Sequence, residues 1–212
     1  MARARLGART DGSRSDMTRG RIITATAQVI REQGFVGATT SAIAERAEVN
    51  QSVIFYHFGS LNQLFATTLE VSSAHRLDAY RAGLDGLSGL GPVLARTMEL
   101  VAEDHASGHV SVLVKLVAGA SAIEALRPSL IEHVERWIAF VEEIVEASLD
   151  GTGLAAALPS PRTLALVIIS TYLGGEILSG LAPELAAGAA LSTVADRIAS
   201  LASITLGEAH RR

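Results

Sequence analysis

The sequence predicts an all-α protein, and three observations carry that prediction. Apolar residues recur at three- and four-residue steps in segment after segment. Glycines and prolines stand between those segments, where helices stop and start. Near the N-terminus two short helical patterns flank a tight turn, which is the size of a helix-turn-helix. The 212 residues suffice for one or two domains with a substantial core, and 49% are apolar against 19% charged. Cysteine is absent, which removes disulfides, Cys-ligated zinc and thiol catalysis. No uninterrupted apolar run is long enough to span a membrane, and the N-terminal arginines adjoin no apolar stretch, so the expectation is a cytoplasmic protein with no membrane partner.

The elements follow in order. Ile22, Ile23, Ala27, Val29 and Ile30 predict a first helix over 17–33, stopped by Gly34. A hydroxyl of Thr39 or Thr40 can cap a short second helix carrying Ile43, Ala44 and Ala47. Gln51 to Phe58 resumes with Ile54, Phe55 and Phe58, of which Phe58 is expected to pack inside. A long fourth helix runs from Leu61 to Leu84 and ends in a loop containing Gly86, Gly89 and Gly91. Pro92 sits in the first turn of the fifth, Gly108 separates the sixth at 109–124, and Pro128 opens the seventh with the stripe Leu130, Val134, Trp137, Ile138, Val141 and Val145. The eighth, 161–181, is apolar almost all round and must be covered on two sides; the ninth is expected over 184–206.

Charge divides the chain unevenly. Residues 1–69 carry net +3 and residues 70–212 net -7, so two different surfaces are implied. Six arginines lie within residues 1–21, among them Arg3, Arg5, Arg9 and Arg14. Residues 1–16 show no helical or strand periodicity and are expected to be mobile without a partner. The division predicted is an Arg-rich arm at 1–16, a helix-turn-helix domain at 17–60 and a helical ligand-binding and dimerisation bundle at 61–212.

Ala27, Gly34-Phe35, Thr39-Thr40, Ile43-Ala44, Ala47, Val49, Phe55-Tyr56-His57-Phe58 and Leu64-Phe65 stand in an order and spacing that resembles the tetracycline-repressor-like (TetR) transcriptional regulators. The resemblance covers Ile23 to about Leu69. It implies an N-terminal three-helix DNA-binding domain whose third helix enters the major groove, and a helical body that binds a ligand and dimerises through its last two helices. Two departures stand out. The turn reads Ala47-Glu48-Val49 where the family has glycine, and a left-handed Glu costs on the order of 1 kcal/mol relative to Gly. Leu61 replaces a phosphate-binding lysine, which leaves residues 38–61 with net charge -1.

The residues expected at double-stranded DNA follow from that placement. Thr40 and the amides opening the second helix meet phosphate, and Ser41 touches either base or phosphate. Gln51, Ser52 and Val53 face base edges, since Gln bonds adenine in two places and Val meets the thymine methyl. Tyr56 and His57 reach backbone phosphate, with core packing the competing role for His57. Arg3, Arg5, Arg9 and Arg14 enter an adjacent minor groove and supply the positive charge that the helix-turn-helix lacks. Paired copies joined through 161–181 and 184–206 would set two reading helices about 34–36 Å apart on a near-palindromic site. In the body, His105, Ser111, Lys115, Trp137, Tyr172 and Glu176 are polar or aromatic residues among apolar ones, and are the candidates for contacting a small, largely apolar effector.

Enzymatic readings fare poorly. Gly151-Thr152-Gly153-Leu154-Ala155-Ala156 matches a dinucleotide fingerprint in letters but follows a helix rather than a strand. His105 and His109 with Glu103 and Asp104 have ligand-like spacing, broken by Gly108. No nucleophile elbow or phosphate loop occurs, and no cofactor is expected. The expectation is a ligand-responsive repressor acting as a homodimer; the alternative is a dimeric ligand-binding or scaffold protein whose acidic helix-turn-helix no longer reads DNA.

Overall fold

The computed structural model describes residues 2–107, 109–150, 153 and 155–182 and the isolated positions 184, 190, 193, 194 and 197; the side chains of 2–13, 107 and 109 lie outside the description. The fold is all-α, with no strand among the described residues. The helices are α1 (Ala2–Gly37), α2 (Thr40–Arg46), α3 (Gln51–Phe58), α4 (Leu61–Leu84), α5 (Leu90–Ser107), α6 (His109–Ala120), α7 (Arg127–Leu149) and α8 (Pro161–Leu181). A 3-10 turn, Glu124–Leu126, precedes α7. The stops and caps read from the sequence operate largely where expected. Gly34 breaks the helical trace of α1 with φ 75° and ψ 177°, and Thr39 Oγ1 accepts from the amide of Ala42. The structure adds a cap not read from the sequence, Ser160 before α8 with Pro161 in its first turn.

Two boundaries differ. α6 stops at Ala120 rather than near 124, because Ile123 is extended and starts the 3-10 turn. α1 begins at Ala2, so the backbone of 2–16 is helical where no periodicity was expected to order it. Apolar spacing detects a helix that packs, whereas Ala, Leu and Arg sustain one by intrinsic propensity without an apolar stripe. The predicted ninth helix and the Gly151–Ala156 fingerprint lie largely outside the described residues.

Backbone contacts divide the chain into two compact units, Met1–Ser72 with Lys115–Leu130, and Ser73–Val114 with Ile131–Arg212. The first is organised by α1 on α2 and α2 on α3, around the fully buried Ile22, Ile30, Ile43, Ile54, Leu64 and Leu116. It takes in the end of α6 for identifiable reasons. Lys115 Nζ donates to the Arg31 carbonyl at 2.7 Å, near the end of the α1 trace, and the Phe35 ring packs on Phe65 with centroids 4.9 Å apart. Gly119 permits this arrangement, since a Cβ there would collide with the Phe35 ring. The core of the second unit is Leu77, Tyr80, Leu100 and Phe140, with Leu84, Val101, Trp137, Val141 and Ile144 against it.

Candidate nucleic-acid interface and effector site

In the first unit, α3 buries Ile54 and Phe58 and turns its other face outward. Gln51 and Ser52 are exposed, Val53 is half-buried, and Tyr56 is 83% exposed. His57 is half-buried between Tyr56 and Phe58, with ring centroids 5.2 Å and 6.3 Å away. At the start of α2, Thr40 is half-buried and Ser41 exposed. Phe58 packs inside as expected, beneath the Arg19 guanidinium 5.2 Å from its centroid. Phe55 is 47% exposed. Sequence reasoning passed over Asn50, the residue before α3. Its backbone takes the N-cap conformation, but its exposed amide makes no capping bond, which leaves that amide free beside Gln51.

The electrostatics of this face are spare. Glu48 adopts φ 53°, so the turn keeps its geometry and carries a left-handed non-glycine residue. Arg46, the single cation of residues 38–61, bonds Glu32 of α1 through both terminal nitrogens, at 2.9 Å and 2.5 Å. That pairing lowers the Glu32 pKa and raises that of Arg46. Beside the turn, Thr18, Arg21, Ala44, Glu45, Glu48, Val49, Asn50 and Val53 line an open groove. Arg14, on the same helix as Thr18, is exposed and accepts the Thr18 hydroxyl at its carbonyl. The side chains of Arg3, Arg5 and Arg9 lie outside the description.

In the second unit the structure brings together three of the six effector candidates. His105 Nε2 bonds Glu176 Oε1, His105 Nδ1 bonds the Val101 carbonyl, and Tyr172 stands edge-on to the His105 ring at 6.4 Å. Burial pushes the Tyr172 hydroxyl upward in pKa, with Tyr80, Glu176 and Asp104 adding to it. Trp137 belongs to an aromatic cluster with Tyr80 and Phe140, and its Nε1 donates to Ser73 Oγ at 2.8 Å. Ser111 is half-buried on α6. Lys115 falls in the other unit, where its ammonium group serves the Arg31 carbonyl.

The polar residues missed in this unit are the more deeply placed ones. Arg76 pairs with the buried Asp104 and lies over the Tyr80 ring. Burial, then Asp104, raises the Tyr80 pKa. His133 is 3% exposed, and burial together with Arg136 lowers its pKa to about 4. A helical wheel holds part of this signal: Ser73, Arg76, Leu77 and Tyr80 fall at i, i+3, i+4 and i+7 on one face of α4. Among the described residues no group of three or more His, Asp or Glu is placed to hold a metal ion.

A short α2, a tight turn and an α3 with an exposed polar edge define a helix-turn-helix DNA-binding domain. Residues 22–68 match the family model described as bacterial regulatory proteins, tetR family, so this segment is a DNA-binding domain of that family's kind. An HTH-type transcriptional regulator of Mycobacterium tuberculosis is 24% identical over 179 residues, which is 84% of this chain and 90% of the relative. The HTH-type transcriptional repressor NicS of Pseudomonas putida is 38% identical over 56 residues, 26% of either chain. The crystal structure of a TetR-family regulator from Rhodococcus sp. superposes with a TM-score of 0.72 at 22% identity, covering 86% of this chain and 99% of that one, so the fold is shared beyond the DNA-binding segment.

Proposed function

We propose that this protein is a ligand-responsive repressor that binds a near-palindromic DNA site as a homodimer in the cytoplasm and is released by a small, largely apolar effector. The observation that carries the reading is the outward edge of α3. Gln51 and Ser52 are exposed and Val53 is half-buried, whereas a degenerate domain would be free to bury that edge. Gln51, Ser52 and Val53 read bases, Thr40, Ser41, Tyr56 and His57 hold phosphate, and Arg3, Arg5, Arg9 and Arg14 provide the charge that Arg46, engaged by Glu32, withholds. NicS is a repressor and matches this chain over its DNA-binding segment, which supports the sign of the regulation.

The second copy has a surface to meet. On α8, Leu166, Val167, Ile168, Ile177, Leu178 and Leu181 are between 43% and 79% exposed. This helix is also long and apolar enough to cross a membrane, with a mean hydropathy of 1.7. Its ends are tied into its own unit, however: Arg162 bonds Glu135 and Glu142 of α7, and Glu176 bonds His105 of α5. A membrane span does not leave such pairs in place, so a second copy is the better cover for the apolar face. His105, Ser111, Trp137, Tyr172 and Glu176 are the effector contacts in this reading, while Lys115, engaged with the Arg31 carbonyl in the other unit, is not among them. An effector releases DNA only by binding the non-DNA geometry more tightly.

Gel-shift titration against DNA flanking the protein's own gene, over a series of salt concentrations, tests the reading. Saturable, salt-dependent binding by a dimer is expected, and removal of residues 1–16 lowers both affinity and salt slope. A dimer that retains no duplex even in dilute buffer establishes instead the scaffold alternative, to which the occupied Arg46 and the acidic turn lend support.

A further inference from the structure

We propose that the effector is a small organic acid, its carboxylate received by Arg136 and His133 of α7 with Arg76 of α4 as a further donor, and its apolar body lying against the aromatic cluster. This rests on the effector reading above and specifies the ligand class. Apart from Arg76 Nη2, which faces Asp104, three buried side-chain nitrogens, Arg76 Nε, His133 Nδ1 and Arg136 Nε, have no hydrogen-bond partner. Buried polar atoms are nearly always bonded, so three in one unit require a cause. The two arginine Nε–H groups can only donate, which makes the missing partner an acceptor.

Position narrows the choice. His133 and Arg136 are three residues apart on α7 and therefore neighbours on its surface. Trp137 follows directly and bonds Ser73 of α4, one turn before Arg76, so α4 and α7 touch within about a turn of each of these groups. Leu77, Tyr80, Trp137 and Phe140 supply apolar and aromatic surface beside that contact. Charge argues for an anion on the α7 side. The Arg76 guanidinium already faces Asp104, while the acid nearest Arg136 is Glu132, 3.8 Å away and 74% exposed. A carboxylate offers both its oxygens to the Arg136 and His133 nitrogens, whereas an ammonium ion meets two guanidinium groups of its own sign. His133 stays uncharged near neutrality, its pKa lowered by burial to about 4, and the acid supplies a negative charge at the buried Nε of Arg136, whose side chain is otherwise 38% exposed.

Binding of matched probes to the full-length protein tests this: benzoate and octanoate against benzamide, octanamide, benzylamine and octylamine, by calorimetry and by DNA release. The acids are expected to bind at least about tenfold more tightly than their amides, since charge-assisted bonds to arginine are the stronger kind. Arg136→Gln should abolish that gap, and in the wild-type protein the His133 ring nitrogen resonances should shift on adding acid. Amides or amines matching the acids, a gap that survives in Arg136→Gln, or no acid binding at millimolar concentration would each overturn the proposal. Neutral probes that bind and release DNA would leave the effector reading intact and remove the acid. Acids that bind without changing DNA affinity would do the reverse, keeping the carboxylate site and removing its regulatory role.

Discussion

Buried polar side chains have different settings in the two units. In the DNA-reading unit, Thr26 and Thr68 are fully buried, and each hydroxyl donates to the carbonyl four residues back in its own helix, Ile22 and Leu64. Such a residue needs nothing from outside its element. In the body, Asp104 and His133 are buried, Arg76 reaches in from α4, and nitrogens of Arg76, His133 and Arg136 are left without partners. The reader is therefore a finished core presenting an exposed edge, while the body holds interior polarity at a cost in stability. Interior polarity of that kind is what a receptor keeps for a ligand.

The largest expected effect comes from breaking the body's buried pair. Asp104→Ala leaves the half-buried Arg76 guanidinium beside Tyr80 without its Asp104 partner and should cost about 3 kcal/mol in chemical denaturation, the low end of the range for halved buried pairs. The double variant Arg76→Met, Asp104→Leu should recover a large part of that loss. A loss below about 1 kcal/mol for the single variant would mean the pair is solvated like a surface bridge, and the contrast between the units would fail.

Next is acid. The folded His133 pKa of about 4 lies below the ordinary value of 6.5, so between those values the unfolded chain binds the extra proton. Stability contributed by the neutral ring is whole above pH 6.5 and is lost as pH falls towards 4, by about 3 kcal/mol. His133→Gln should flatten the stability profile over that window relative to the wild type. An unchanged slope would place the titration elsewhere.

The same contrast explains what could be read from the sequence. The reader is built from local rules: Gly34 stops a helix, Thr39 caps the next, and Ile43, Ile54 and Phe58 repeat at helical steps, so elements and core were both legible. The body's helices were legible for the same reason, and α8 begins and ends where expected. Its interior polar partners were not. Asp104 and Arg76 are 28 residues apart in the chain, and nothing local distinguishes a buried arginine from a solvated one. The helical backbone of residues 2–16 was missed from the opposite side, because intrinsic propensity leaves no apolar period to see.

In the reader, effects should be smaller and confined to DNA. Gln51→Ala removes a candidate base-reading amide from an exposed position and should weaken binding to the preferred site about tenfold while leaving unfolding unchanged. Weakening that was uniform over all sequences would reassign Gln51 to phosphate.

The smallest effect sharpens the comparison most, because it separates stability from charge at a single residue. Glu48 stands at φ 53°, and relief of the left-handed strain by Gly is worth about 1 kcal/mol, offset by roughly half that through the freer unfolded chain. Glu48→Gly should therefore raise the melting temperature by about 1–2 °C. Glu48→Gln keeps the side chain and the strain but discards the negative charge beside Asn50 and Arg21, so it should leave melting unchanged. Both variants should tighten DNA binding by similar factors at low salt, the gain fading as screening increases. If Glu48→Gln melted as high as Glu48→Gly, repulsion from Glu45 rather than backbone conformation would be the cost this turn carries. If neither tightened binding, the turn would face away from the duplex, and the interface would have to be drawn along α1 and α3 alone.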